Sequence, residues 1–143
     1  MDTEQAKKLF SDSLNARGLR HTLQRDTIVE CFLAAGRHIT DDNLYDEVRK
    51  ISPYIGFATV HRTLKLLCEI GIAEEIKIGN EKARYEQKVG KGHHDHLICT
   101  KCGEFTEVHD KRIEMLQDKL AEAKGFSPAR HKLEIYGLCK KCK

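Results

Sequence analysis

Residues 93–102, HHDHLICTKC, place three histidines, an aspartate and a Cys-x-x-C pair within ten positions. Imidazole nitrogen, carboxylate oxygen and thiolate sulfur are the donors that hold divalent transition metals, so the stretch reads as metal-binding chemistry. A second pair, Cys139-x-x-Cys142, stands near the end of the chain. Together Cys99, Cys102, Cys139 and Cys142 supply four soft ligands, the set for a closed, tetrahedral, structural Zn²⁺ site. The 36 residues between the pairs exceed the spacing of a minimal zinc ribbon, so that segment must hold structure of its own. A thioredoxin-like redox pair is the alternative, and no βαβ pattern accompanies either Cys-x-x-C. Cys31 and Cys68 stand alone on expected helix faces and read as small buried hydrophobes.

In extended chain, successive side chains point to opposite faces. His93 and Asp95 then share one side while His94 and His96 share the other, which suits two nitrogen/oxygen sites back to back beside the sulfur site. Further ligands must come from elsewhere. His131 is a candidate on an expected strand face with Leu133 and Ile135, and Glu114 is another, on an expected helix beside Ile113. An open metal site could also be catalytic. No His-Glu-x-x-His helix, nucleophile elbow or phosphate loop is present, so the residues favour a binding protein over a small metalloenzyme.

These donors need elements to position them. A chain of 143 residues with 40% apolar content fits one ordinary domain or two small ones. Its apolar runs fall far short of the roughly 18 residues of a membrane span, and the polar start MDTEQAKK lacks a secretory apolar region. A cytoplasmic location without membrane contact is expected, where thiols stay reduced and cysteines point to metal before disulfides. Charge says little: residues 1–90 carry 14 Lys+Arg against 14 Asp+Glu, and residues 91–143 carry 11 against 8. Nucleic-acid binding would rest on local placement. Arg17, Arg20, His21 and Arg25 form an acid-free stretch that could meet a phosphate backbone or simply be a solvated face.

Periodicity and caps predict four helices in the first half. The first spans about Thr3 to Arg17, with Ala6, Leu9, Phe10 and Leu14 near one face. Thr22 caps a second, Leu23 to Ala35; Thr40 opens a third, which reaches Ile51 before Ser52-Pro53. In FATVHRTLKLLCEIG, Val60, Leu64 and Leu67 form a buried stripe while Arg62 and Lys65 project from the other side. IAEEIKI and ARYE flank Gly79-Asn80 as a hairpin. Helices followed by a hairpin make a winged helix-turn-helix, although periodicity alone also fits a small helical bundle. VGKG, residues 89–92, reads as a hinge between a domain at 1–88 and another at 93–143. In the second, HLIC and EFTEV are expected strands. Asp110 caps a helix to about Lys124 with Ile113, Leu116 and Leu120 inward, and RHKLEIYGL alternates as a strand. About 50 residues of α+β structure usually need a metal or a partner chain.

The ordered phrases GLRHTLQR, HITDDNLYDEV, ATVHRTLKLL, RYE, HHDHLICTKCGEFTEV and RHKLEIYG resemble the ferric uptake regulator family across nearly the whole chain. The resemblance implies an α+β protein, with an N-terminal winged helix-turn-helix domain that binds double-stranded operator DNA. A small α+β domain for homodimerisation and metal binding follows it. It also implies a metal-dependent repressor of metal-homeostasis genes with AT-rich inverted-repeat operators, and no small-molecule substrate. By the same resemblance Cys99, Cys102, Cys139 and Cys142 match structural zinc ligands. His38, Glu86, His94, His96 and Glu107 match an interdomain sensing site, and His93, Asp95, Glu114 and His131 match another. Peroxide sensors of the family tend to carry aspartates where this chain has Glu86 and Glu107, and zinc sensors less often show the His-Asp-His order of residues 94–96. The expected regulatory metal is therefore Fe²⁺, for which Mn²⁺ or Zn²⁺ can substitute. Arg20, Arg25, Thr59, His61 and Arg62 are the expected DNA-contacting residues. One departure stands out: His61 replaces a common tyrosine that can touch thymine methyl groups.

Overall fold

The computed structural model describes residues 2–36, 38–77, 80–89, 94–129 and 131–143. The chain divides into two compact units, residues 1–92 and 93–143. His93, Gly79 and most of the expected hinge lie outside the described residues.

The first unit begins with α1 (Thr3–Ala16), whose N-terminus carries a reciprocal capping box between Asp2 and Gln5. Ala6, Phe10 and Leu14 are buried at helical spacing, while Leu9 is 37% exposed, so the apolar face is narrower than expected. Helix α2 (Leu23–Ala35) starts at Thr22, whose side chain accepts the Arg25 N–H, and ends at left-handed Gly36. Strand β1 (Ile39–Thr40) follows, and then Thr40 caps α3 (Asp41–Ile51). Helix α4 (Phe57–Glu69) places Val60, Leu64 and Leu67 in the core. It stops where Gly71, at φ +81°, lets the Ile72 N–H donate back to the Leu67 carbonyl. Leu64 and Leu67 have no exposed surface, and truncating either to alanine would cost about 2–5 kcal/mol.

Strands β2 (Ala73–Ile76) and β3 (Arg84–Gln87) pair antiparallel from Ala73↔Gln87 to Ile76↔Arg84. The two residues of β1 add to the other edge of β3, with Ile39 opposite Tyr85, giving the order β1-β3-β2. This is a winged helix-turn-helix: α3 and α4 form the helix pair and the hairpin is the wing. Its core runs through Phe10, Phe32, Leu44, Leu64, Ile72 and Tyr85.

In the second unit β4 (Asp95–Cys99) is central. It pairs antiparallel with β5 (Phe105–Val108) and parallel with β6 (Glu134–Gly137), in the order β5-β4-β6. Helix α5 (Lys111–Ala123) connects β5 to β6 and is capped by Asp110. Two expectations fail here. Leu116 and Leu120 are 61% and 63% exposed and α5 buries no residue, because nothing among the described residues of the unit covers its apolar face. His131 and Leu133 precede β6 rather than lie within it, since pairing with β4 begins only at His96↔Glu134.

Candidate metal centres and nucleic-acid interface

The parallel register Cys99↔Gly137 brings the ends of β4 and β6 side by side, so the turns that follow converge. In one turn the Gly103 N–H donates to the Cys99 carbonyl; in the other the Cys142 N–H donates to the Cys139 carbonyl. The four thiols of Cys99, Cys102, Cys139 and Cys142 come within 4.8 Å of one another, and all are free. Cys102 Sγ lies 3.7 Å from Cys139 Sγ. A zinc–sulfur bond of about 2.3 Å in a tetrahedron puts its sulfurs about 3.8 Å apart, so this edge already has the length the ion requires. Cys99 Sγ accepts the backbone N–H groups of Cys102 and Cys139 at 3.5 and 3.4 Å. Those donors favour the thiolate and hold Cys99 down to about 6, whereas Cys142, whose thiol donates to Cys139, is pushed up to about 12. The two N–H groups thus favour Cys99 as a thiolate ligand.

Alternation along β4 separates the nitrogen and oxygen donors. His96 is buried on β4, and the His94 ring sits 4.9 Å from its ring, centroid to centroid. Glu107 stands opposite His96 on β5, and its Oε1 lies 3.9 Å from His94 Nε2. Asp95, also buried, joins Glu114 and His131 instead, with ligand atoms within 4.8 Å of one another. His131 Nε2 is 3.0 Å from Glu114 Oε2. Imidazole with carboxylate suits borderline divalent ions such as iron, manganese or zinc. In the first unit, His38 Nδ1 lies 3.9 Å from Oε2 of buried Glu86, a second imidazole–carboxylate pair.

The free cysteines of the first unit offer no such chemistry. Burial raises the Cys31 thiol and pushes Cys68 up to about 11, so both behave as small apolar side chains.

Helix α4 leaves Ala58, His61, Arg62 and Lys65 on its outward side, at i, i+3, i+4 and i+7. Arg62 is exposed, and half-buried Thr59 accepts from its guanidinium at 3.4 Å. Gly56 caps α4 without a side-chain hydrogen bond, leaving N–H groups for an anion. Lys65 differs from the sequence expectation. Its ammonium is 2.6 Å from Glu75 on the wing and 5.7 Å from the centre of the Tyr85 ring, so it braces the hairpin. The basic stretch is also largely paired. Arg17 meets Glu69 at 2.5 Å, His21 meets Asp26 at 3.1 Å, and Arg25 donates to the Arg20 carbonyl. The guanidinium of exposed Arg20 has no such partner among the described residues. The sequence singled out neither Asp41, bonded to His61 at 3.2 Å, nor Tyr54, which is 91% exposed just before α4.

The family model of the ferric uptake regulators matches residues 16–136. The chain belongs to the ferric uptake regulator family. It is 36% identical over 135 residues to the ferric uptake regulation protein of Campylobacter jejuni, covering 93% of this chain and 85% of that one. The corresponding protein of Neisseria meningitidis serogroup A is 38% identical over 130 residues, 90% of each chain. Among solved structures, the Helicobacter pylori ferric uptake regulator, described as having three functional metal-binding sites, superposes with a TM-score of 0.82 at 25% identity. That match covers 99% of this chain and 94% of the other. For this member of the family, the matched segment takes in α4 and both histidine-containing donor sets. It ends before Cys139 and Cys142, so the convergence of the two turns is what unites the four thiols.

Proposed function

We propose that this ferric uptake regulator family member is a homodimeric, Fe²⁺-responsive repressor that binds AT-rich inverted repeats in double-stranded DNA. The observation that carries the reading is the distribution of donors. His94, His96 and Glu107 gather in the second unit, while His38 and Glu86 pair in the unit that bears the outward Arg62. Ligands drawn from both units give a metal higher affinity for the arrangement in which the units are clamped, and differential affinity is what shifts such an equilibrium. A fixed angle between two winged helices then matches two half-sites. The glutamates at 86 and 107 favour iron over the peroxide response, with Mn²⁺ or Zn²⁺ able to substitute. The four cysteines hold a structural Zn²⁺. Asp95, Glu114 and His131, with His93, form an additional site.

What the second unit leaves uncovered supports self-association. Its buried described residues are Asp95, His96, Ile98, Cys99 and Gly103, too few for a core. Met115, Leu116, Leu120, Phe126, Ile135 and Leu138 are each at least half exposed. A second copy supplies the missing cover. No helix among the described residues is long and apolar enough to cross a membrane. A DNA-binding role supports a cytoplasmic location.

The test is fluorescence anisotropy on a labelled AT-rich inverted repeat, without added metal and with Fe²⁺, Mn²⁺ or Zn²⁺. Metal-dependent binding is expected, and its loss in His38→Ala with the cysteine-bound zinc retained. Full metal dependence in His38→Ala would move the sensing role to the Asp95, Glu114 and His131 site. Absence of any metal-dependent binding would refute the repressor reading.

A further inference from the structure

The outward face of α4 carries a histidine whose ring is held from two sides. His61 Nδ1 lies 3.2 Å from Asp41 Oδ2, at the start of α3. The ring stacks on Phe57, one turn earlier, at an interplanar angle of 20° and a centroid distance of 6.2 Å. Phe57 is itself fixed edge-on by Tyr45 of α3, at 5.7 Å and 89°. The Asp41 carboxylate is anchored in turn: its Oδ1 accepts the Asp42 N–H at 2.8 Å and faces the Lys82 ammonium at 3.9 Å. Two elements therefore set the plane and the rotation of one imidazole, on a side chain that is 41% exposed between Ala58 and Arg62.

The chemistry follows from donor and acceptor roles. An ionised carboxylate only accepts, so Nδ1 must donate the proton. In the neutral imidazole the other nitrogen then carries a lone pair, and Nε2 has no partner among the described residues. We infer that His61, oriented by Asp41 and Phe57, presents an Nε2 acceptor to the major groove and selects a base-edge amino donor, adenine N6 or cytosine N4. The inference rests on the DNA-binding reading above. It differs from what a tyrosine at this position would give, because contact with a thymine methyl needs no oriented acceptor. Asp41 is the positioning residue: it touches no DNA, and it determines which nitrogen bears the proton.

The test is selection from a synthetic duplex library. The library is an AT-rich inverted repeat with the central positions of each half-site randomised, selected by the metal-loaded, full-length protein at about pH 8, where imidazole is ordinarily neutral. Wild type is expected to enrich adenine or cytosine at one position per half-site. His61→Phe, which keeps the flat ring without nitrogen, should lose that preference by roughly five- to tenfold while retaining the rest of the selected sequence. His61→Gln, whose amide oxygen can occupy the place of Nε2, should restore it. Asp41→Ala should blur the preference as His61→Phe does, and Asp41→Asn, whose amide oxygen still accepts from Nδ1, should keep it. Thermal melting of each variant separates misfolding from misreading. An unchanged preference in folded His61→Phe would overturn the inference, as would a wild-type preference for thymine or guanine at that position. A wild type that enriches no sequence would refute the DNA-binding reading itself.

Discussion

Replacing Leu116 and Leu120 together by alanine should weaken self-association about a thousandfold. The two lie four residues apart on α5 and are 61% and 63% exposed in the single chain. Fully burying a leucine contributes roughly 1.5–3 kcal/mol, so covering the exposed three-fifths contributes about 1–2 kcal/mol, of which alanine forfeits about 1. In a two-fold interface each substitution occurs on both sides, which brings the loss to about 4 kcal/mol, close to three orders of magnitude in Kd. Sedimentation equilibrium over a wide concentration range measures the dissociation constant. Circular dichroism should show unchanged helix content, because neither leucine supports the fold of the isolated chain. Leu23→Ala, at a position 82% exposed on α2, serves as the control and should leave the dimer intact. A dissociation constant within a few-fold of wild type would remove the α5 face from the interface and with it the explanation of its exposure.

Cys99→Ser removes the sulfur that both neighbouring turns hold, so it should release zinc, detected by a colorimetric chelator, and lower the melting temperature of the second unit. A zinc-free variant with an unchanged melting curve would show that the thiols are not structural. Arg62→Ala should weaken operator binding by roughly 1–3 kcal/mol if the guanidinium reaches a base, with metal binding intact. Lys65→Ala should instead reduce stability through its lost bond to Glu75, by about 1 kcal/mol or less for so exposed a pair, and leave the salt dependence of DNA binding unchanged.

The features that could be read from sequence were those governed by local chemistry. Thr22, Thr40 and Asp110 cap the helices they were expected to cap, because a hydroxyl or carboxylate bonding an N–H two or three residues on needs no tertiary information. Gly36, Gly71 and Gly125 take up positive φ just past the ends of α2, α4 and α5, which is equally local chemistry. Alternation likewise parted Asp95 from His94 and His96. What failed depends on partners distant in sequence. The period of Ile113, Leu116 and Leu120 shows that they share a face but not that this face lacks a neighbour among the described residues of its unit. Strand β1 has two residues, too few to alternate, and exists because β3 has an open edge beside it. Lys65 reads as a free cation until the wing delivers Glu75, and His61 reads as a lone substitution until α3 delivers Asp41.

The most direct test of the account is reciprocity between metal and DNA. If ligands from both units create the clamped, DNA-matching arrangement, the two binding events share one coupling free energy. Mn²⁺ affinity measured calorimetrically with and without the inverted-repeat duplex should rise by the same factor by which Mn²⁺ raises affinity for that duplex. A metal affinity indifferent to saturating DNA, beside strongly metal-dependent DNA binding, would contradict the clamp.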